Sequence, residues 1–119
     1  MNTIKLAIVG SRGFNDYDLL EKTINENYKI DQIETIVSGG ARGADSLGEK
    51  YAEKNNINKE IYLPDWKKYG RGAGFVRNKD IVDACDSIIL FWDGSSKGTI
   101  HSMRLAQKAG KKIHLIEYK

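Results

Sequence analysis

Five short apolar runs punctuate the chain, and between them apolar residues recur at helical spacing. Lys5–Val9, Ile33–Val37, Glu60–Leu63, Ser87–Trp92 and Lys112–Tyr118 are too short for helices and are bounded by turn residues, which predicts strands. Leu20 and Ile24 sit four apart, with Tyr17 and Tyr28 extending the stripe, so a helix capped by Asp16 or Asp18 is predicted there. Ala44, Leu47 and Tyr51 form a second helical stripe that frays at Asn55 and Asn56. A third helix is predicted from about Phe75, with Ile81, Ala84 and Cys85 on one face. A fourth begins near Thr99, buries Ile100, Met103 and Ala106, and stops at Gly110, a natural C′ residue. Asp65–Gly74, with three glycines, reads as a long polar loop ahead of the third helix.

Strands alternating with helices predict an α/β domain, a three-layer Rossmann-like parallel five-stranded sheet with helices on both faces. Right-handed crossovers leave few topologies, and the order 3-2-1-4-5 is the expected one. Residues 1–119 are then one domain, with no internal repeat or linker. All strands run the same way, so the strand-to-helix loops open on one edge. Gly10–Phe14, Ser38–Asp45, Asp65–Asn78 and Asp93–Thr99 carry nearly all the unusual residues, and ligands of such folds bind at that edge.

Composition narrows the partners. A net charge of +3, scattered along the chain, permits an anionic ligand without marking a nucleic-acid surface. No apolar stretch approaches a membrane span, and the N-terminus runs straight into a strand pattern without a cleavage region, so a cytoplasmic protein is expected. Cys85 is the one cysteine, which excludes an internal disulfide; it sits on the core face of its helix and is expected to be inert. Two histidines distant from that cysteine do not suggest a metal site, and no cofactor is expected. His101 and His114 are expected to be structural.

Candidate chemistry begins at Ile36–Asp45, which reads as strand, glycine turn, helix start. Glycine permits positive φ and close approach of a ligand to the backbone, and a helix N-terminus suits an anion. A tight turn by itself needs one or two glycines, not Gly39, Gly40 and Gly43 with Arg42 among them. The site is therefore expected to hold something phosphorylated. Gly98 and Thr99 at a helix start add N–H groups and a hydroxyl, although neither the P-loop nor the dinucleotide fingerprint is present. Asn78 falls on the apolar stripe of its helix at the end nearest the loops, where it needs either a ligand or a loop-bracing hydrogen bond. Arg77 is placed to pair with Asp45, Asp65 or Asp93, or with a phosphate. Trp66 and Trp92 are candidates for stacking on a base or for the core.

Taken together, Ser38-Gly39-Gly40-Ala41-Arg42-Gly43-Ala44-Asp45, Asp65-Trp66, Tyr69-Gly70, Arg77-Asn78 and Phe91 through Thr99 resemble the SLOG superfamily, specifically its YspA-like, YpsA-related group of bacteria and phages. The resemblance spans the chain from Gly10-Ser11-Arg12 to the last strand. It implies a Rossmann-like fold, a nucleotide or nucleotide-derived ligand such as a nucleoside phosphate or an ADP-ribose-like molecule, and a homodimer or larger homo-oligomer. Gly10, Ser11, Arg12, Ser38, Gly39, Gly40, Arg42, Gly43, Asp45, Trp66, Arg77, Asn78, Asp93, Gly94, Ser95, Gly98 and Thr99 are the expected binding residues. Two relatives point in different directions. The cytokinin-activating phosphoribohydrolases carry P-G-G-x-G-T-x-x-E, of which Gly98 and Thr99 match G-T while the glutamate position falls on Ser102. Serine cannot serve as that carboxylate, which favours binding over N-glycosidic hydrolysis and leaves Arg77, Asp45 and Asp93 as the catalytic candidates. The DNA-processing protein DprA carries S-G-x-A-R-G-x-D, matched by Ser38–Asp45, and implies the less favoured alternative of single-stranded nucleic acid, held through Lys67, Lys68, Arg71 and Lys79 with Trp66 and Tyr69.

Overall fold

A computed structural model describes residues 3–118 of the chain. Its sheet has the order β3-β2-β1-β4-β5, with every neighbouring pair parallel. The strands are β1 (Ile4–Gly10), β2 (Ile33–Ser38), β3 (Asn58–Ile61), β4 (Ser87–Trp92) and β5 (Lys112–Glu117). The main helices are α1 (Tyr17–Asn27), α2 (Ala44–Lys54), α4 (Ala73–Ala84) and α5 (Lys97–Lys108), with a single-turn α3 (Trp66–Tyr69) before α4.

Side-chain alternation along the central strands builds two cores. Leu6 and Ile8 of β1, Ile36 of β2, and Ile89 and Phe91 of β4 face α1 and α2, where Leu20, Ile24 and Tyr51 meet them. Ala7, Val9, Val37, Ile88 and Leu90 point the other way, to Ile81 and Val82 of α4, to Cys85 just past its end, and to Ala106 of α5. A strand buried on both faces reads as an unbroken apolar run, which is why β1, β2 and β4 stand out in the sequence. Asp16 supplies the cap of α1, its carboxylate accepting the Leu19 N–H at 3.0 Å. Gly110, at φ 72°, ends α5 as expected.

Three expectations need correction. The third strand lies two residues earlier than Glu60–Leu63, because the register pairs Thr35 with Asn58 and Ser38 with Ile61. An edge strand has no buried face to mark it, and the apolar Leu63 lies beyond it, 70% exposed. Asp65–Gly74 is not a loop throughout. Asp65 caps α3 by accepting the Lys68 N–H at 3.1 Å, a 3₁₀ turn covers Gly70–Gly72, and α4 starts at Ala73. Glycines with poor helix propensity hid these turns in the sequence. Finally, α5 buries Thr99, Ser102 and Ala106, while Ile100 and Met103 are only half-buried. The helix turns a polar flank toward the edge of the sheet.

Helix α2 lies directly on β1. A Cβ built at Gly48 would come within 2.7 Å of Ile8 Cβ and 2.8 Å of its Cγ2, so a branched side chain there must push the helix off the sheet. Gly48→Val is expected to destabilise by about 2 kcal/mol or more, through overpacking that outweighs its gain in helix propensity. Chemical denaturation checks this, and an unchanged midpoint would contradict the seating of α2 on β1.

Candidate functional site

Strands β1 and β4 are neighbours, but the chain leaves them in opposite directions, toward β2 and toward β5. The crevice at their carboxyl ends is the switch point of the sheet. The loops there are locked by short backbone contacts. The Ser11 N–H donates to the Phe91 carbonyl at 2.8 Å, and the Ser11 hydroxyl accepts the Asp93 N–H at 3.1 Å. Gly43 caps α2 at φ 81°, and a Cβ on it would strike the carbonyl oxygens of Ser11 and Arg12. Only glycine suits that conformation and that approach.

A cavity of about 430 Å³ opens at this point. Gly10, Arg12 and Gly13 border it from the first loop, Ala41 and Asp45 from the start of α2, Arg77, Asn78 and Ile81 from α4, and Asp93, Ser96, Gly98, Thr99 and Ser102 from β4 and α5. Arg12, Ala41 and Arg77 also border a second cavity of about 320 Å³, with Gly39, Gly40, Arg42, Leu63, Pro64, Trp66 and Gly74. The expected phosphate loop is thus divided between two spaces. Its Gly39 N–H donates to Asp45 Oδ2 at 2.7 Å, and its Gly40 N–H to the Ser38 hydroxyl at 3.3 Å. Those two amides brace the loop and are not free for a ligand.

Arg77 donates through Nη1 to the Gly39 carbonyl at 2.6 Å and through Nε to Asn78 Oδ1 at 3.1 Å. Among the described residues neither Arg77 nor Arg12 forms an ion pair. Burial lowers the Arg77 guanidinium, Asp45 opposes that shift through space, and the like charge of Arg12 adds to it. Asn78 is both candidates at once: it is 8% exposed and borders the cavity, and it also braces α5 through its amide nitrogen, 3.2 Å from His101 Nδ1. Asp93 accepts the N–H groups of Ser95 and Ser96 through Oδ1, and these bonds hold its carboxyl below the usual range. Ser95 and Gly94 shape that turn and do not line the cavity.

The two tryptophans separate. Trp92 is half-buried and donates its indole N–H to the Ser96 carbonyl at 3.1 Å, a brace for the loop into α5. Trp66 is 56% exposed and walls the second cavity. His101 meets the ring of Phe75 edge-on and His114 lies 3.0 Å from the Tyr28 hydroxyl, both in packing contacts. Burial pushes the Cys85 thiol up to about 11, which keeps it unreactive.

Sequence reasoning missed Ser96, and it noticed Ser102 only as the place of a missing glutamate. Ser96 carries a signal that was available, a serine three residues before Thr99 at a helix start; its hydroxyl accepts from Thr99. Ser102 lies one helical turn on from Thr99, is 3% exposed and borders the cavity. Glu49 was also missed. It stands four residues after Asp45 on α2 and accepts the Ser38 hydroxyl at 2.5 Å, tying the end of β2 to the helix.

The fold and this crevice define a Rossmann-like α/β protein with its site at the switch point of a 3-2-1-4-5 sheet. Residues 4–69 match the model of the YspA, cpYpsA-related SLOG family (YAcAr), and the chain belongs to that family. It is similar to the Gene 61 protein of Mycobacterium phage D29, with 36% identity over 113 residues, 89% of this chain and 90% of that protein. Its structure is similar to the X-ray structure of DNA processing protein A (DprA) from Streptococcus pneumoniae, with a TM-score of 0.78 and 20% identity over 98% of this chain and 51% of that one. The chain spans about half the length of that DprA, and the likeness is one of fold. No described helix is long and apolar enough to cross a membrane.

Asp45 is the site's unusual acid. It is 4% exposed, and burial pushes its carboxyl from 3.8 up to about 6, against the N–H of Gly39 and the charge of Arg77, with Glu49 adding a like charge. The folded protein therefore holds this proton more tightly than the unfolded chain does. The resulting stability is fully present below about pH 4 and is lost as pH rises through about 6, a change on the order of 3 kcal/mol. Asp45→Asn keeps an acceptor for Gly39 and should remove that component. In urea unfolding between pH 4 and 7, the stability difference between wild type and variant should shift in the variant's favour as pH rises. A difference that stays constant would mean that Asp45 is already ionised across the range.

Proposed function

We propose that this protein binds a nucleotide or nucleotide-derived molecule at the switch-point cavity, as a sensor or sequestering protein. The observation that carries this reading is the pair of guanidiniums, Arg12 and Arg77, that border the cavity without an ion-pair partner among the described residues. A half-buried arginine held by neutral acceptors supplies positive charge and a planar fork for an oxyanion. The start of α5 borders the same cavity at Gly98 and Thr99; although Ser96 caps the Thr99 N–H, the helix N-terminus remains a second feature suited to a phosphate. Asn78, Thr99 and the Ser102 hydroxyl offer hydrogen bonds for a sugar or base edge. The cavity's volume is in the range of small-molecule sites.

A hydrolytic variant of this reading has its own support. Asp45, with its carboxyl near 6, lies in the range where a group both gives and takes protons near neutral pH. Cleavage of an N-glycosidic bond would then use Asp45 or Asp93 with Arg77, in place of the glutamate whose position Ser102 occupies. Turnover of nucleoside monophosphates to free base, abolished by Asp45→Asn, is the outcome expected of that variant; binding without release of base leaves the sensor reading.

The test of the site is Arg77→Ala. Calorimetric titration with adenosine monophosphate should show affinity falling by about 10- to 100-fold, the loss expected when a charge-assisted hydrogen bond to phosphate is removed. Arg77→Lys should recover only part, since lysine keeps the charge and loses the fork. Unaltered affinity in a folded Arg77→Ala variant would place the phosphate elsewhere.

A further inference from the structure

Between β3 and α4 lies a segment that builds no core. Neither α3 nor the 3₁₀ turn Gly70–Gly72 buries a residue. Yet this stretch and its flanks hold four of the seven large apolar side chains left exposed among the described residues. Leu63 is 70% exposed, Trp66 56%, Phe75 54% and Tyr69 42%. Their exposure is built into the fold, because Asp65 caps α3 by accepting the Lys68 N–H and the Tyr69 N–H donates to the Asp65 carbonyl at 3.0 Å. Trp66 and Tyr69, three residues apart, are neighbours on that turn. Gathered apolar groups rimmed by polar ones mark an interaction surface. The rim here is cationic. Lys67, Lys68 and Arg71 are exposed, and none of them forms an ion pair among the described residues. Asp65 is the one acidic residue from Leu63 to Gly74, and its carboxylate is committed to the cap.

We infer that the face from Leu63 to Phe75 docks an acidic segment of a partner protein that carries a large apolar residue. The partner's carboxylates pair with Lys67, Lys68 and Arg71, and its apolar residue seats between Leu63, Pro64 and Trp66, which wall a concave space of about 320 Å³. Tryptophan, tyrosine and arginine are the residues on which protein interfaces most often turn. The surroundings of the rings favour a protein over a nucleic-acid strand. Lys68 Nζ stands 5.1 Å from the centroid of the Tyr69 ring, and Phe75 meets His101 edge-on at 4.5 Å. Of the three rings, Trp66 alone makes no aromatic or cation contact among the described residues. A strand stacks successive bases on free ring faces, whereas this patch offers one such face beside an aliphatic Leu63. The inference is independent of the nucleotide reading, since Leu63, Trp66, Tyr69 and the three cations lie outside the switch-point cavity.

The test selects peptides from a phage-displayed random library on the immobilised full chain, then measures the enriched sequences as labelled synthetic peptides by fluorescence anisotropy. Enriched peptides should be rich in Asp and Glu around a Trp, Phe or Leu. Trp66→Ala should weaken their binding by about tenfold or more, the loss typical of a central anchor. The double variant Lys67→Glu, Arg71→Glu should weaken it by about as much. Exchanging the peptide's carboxylates for lysines should restore binding to that double variant and not to wild type. All three positions are exposed, so the variants leave the two cores intact, and thermal melting checks that they fold. Enriched peptides without an acidic character, or acidic ones indifferent to both variants, would overturn the assignment. Two other occupants would overturn it as well. Oligothymidylate binding that climbs with length and falls in the same variants would give the face to a nucleic-acid strand. A wild-type dimer that Trp66→Ala converts to a monomer in sedimentation would give it to a second copy of the chain.

Discussion

At Gly43 the start of α2 passes so close to the carbonyls of Ser11 and Arg12 that no side chain fits between them. Much of the site's geometry depends on that approach. It draws the loop after β2 against the loop after β1, and places Arg12 over the same space that Asp45 reaches from the first turn of α2. A similar closeness occurs at Gly10, where a Cβ would strike the Phe91 carbonyl. The loops after β1 and β4 are thereby held in close backbone contact, with the Ser11 hydroxyl adding a bond from the Asp93 N–H. With side chains excluded from these joints, the charged groups of the neighbouring residues are directed into the crevice.

The electrostatics follow from that geometry. Asp45 is buried where an unpaired carboxylate is costly, and it is compensated by the Gly39 N–H and by Arg77 nearby. Arg77 in turn is anchored by neutral acceptors, Gly39 and Asn78, and not by a carboxylate in ion-pair contact. Its charge is positioned without being cancelled. Had Asp45 formed a bidentate pair with it, the two would have made a self-contained structural bridge with little attraction left for an anion.

Much of the fold was legible in the residues. The runs of β1, β2 and β4 are buried on both faces, and burial on both faces leaves an unmistakable mark. The β3 edge was legible only approximately, since one-sided exposure removes that mark. Residues 65–74 were misread because Gly70, Gly72 and Gly74 argue against helix, while the Asp65 cap and packing of α4 decide for it. Within the site, Gly10, Arg12, Asp45, Arg77, Asn78, Asp93, Gly98 and Thr99 were named from their positions in strand-to-helix loops, and all of them border one cavity. Ser96 was not named among the candidate site residues, and Ser102 only as a departure from a motif, because a serine looks the same whether it faces water, a helix carbonyl or a crevice.

By itself the sequence determined the strand order, the edge on which the loops gather, and the family, because these follow from apolar periodicity, chain direction and local motifs. Only the tertiary structure decided that the glycine loop divides between two cavities, that its first amides serve Asp45 and Ser38, and that Trp66 and Trp92 have different surroundings. The physical reason is range. Periodicity and turn chemistry act between residues a few positions apart, whereas which amide meets which carboxylate, and which indole faces water, depends on contacts between elements that the chain brings together only once it has folded.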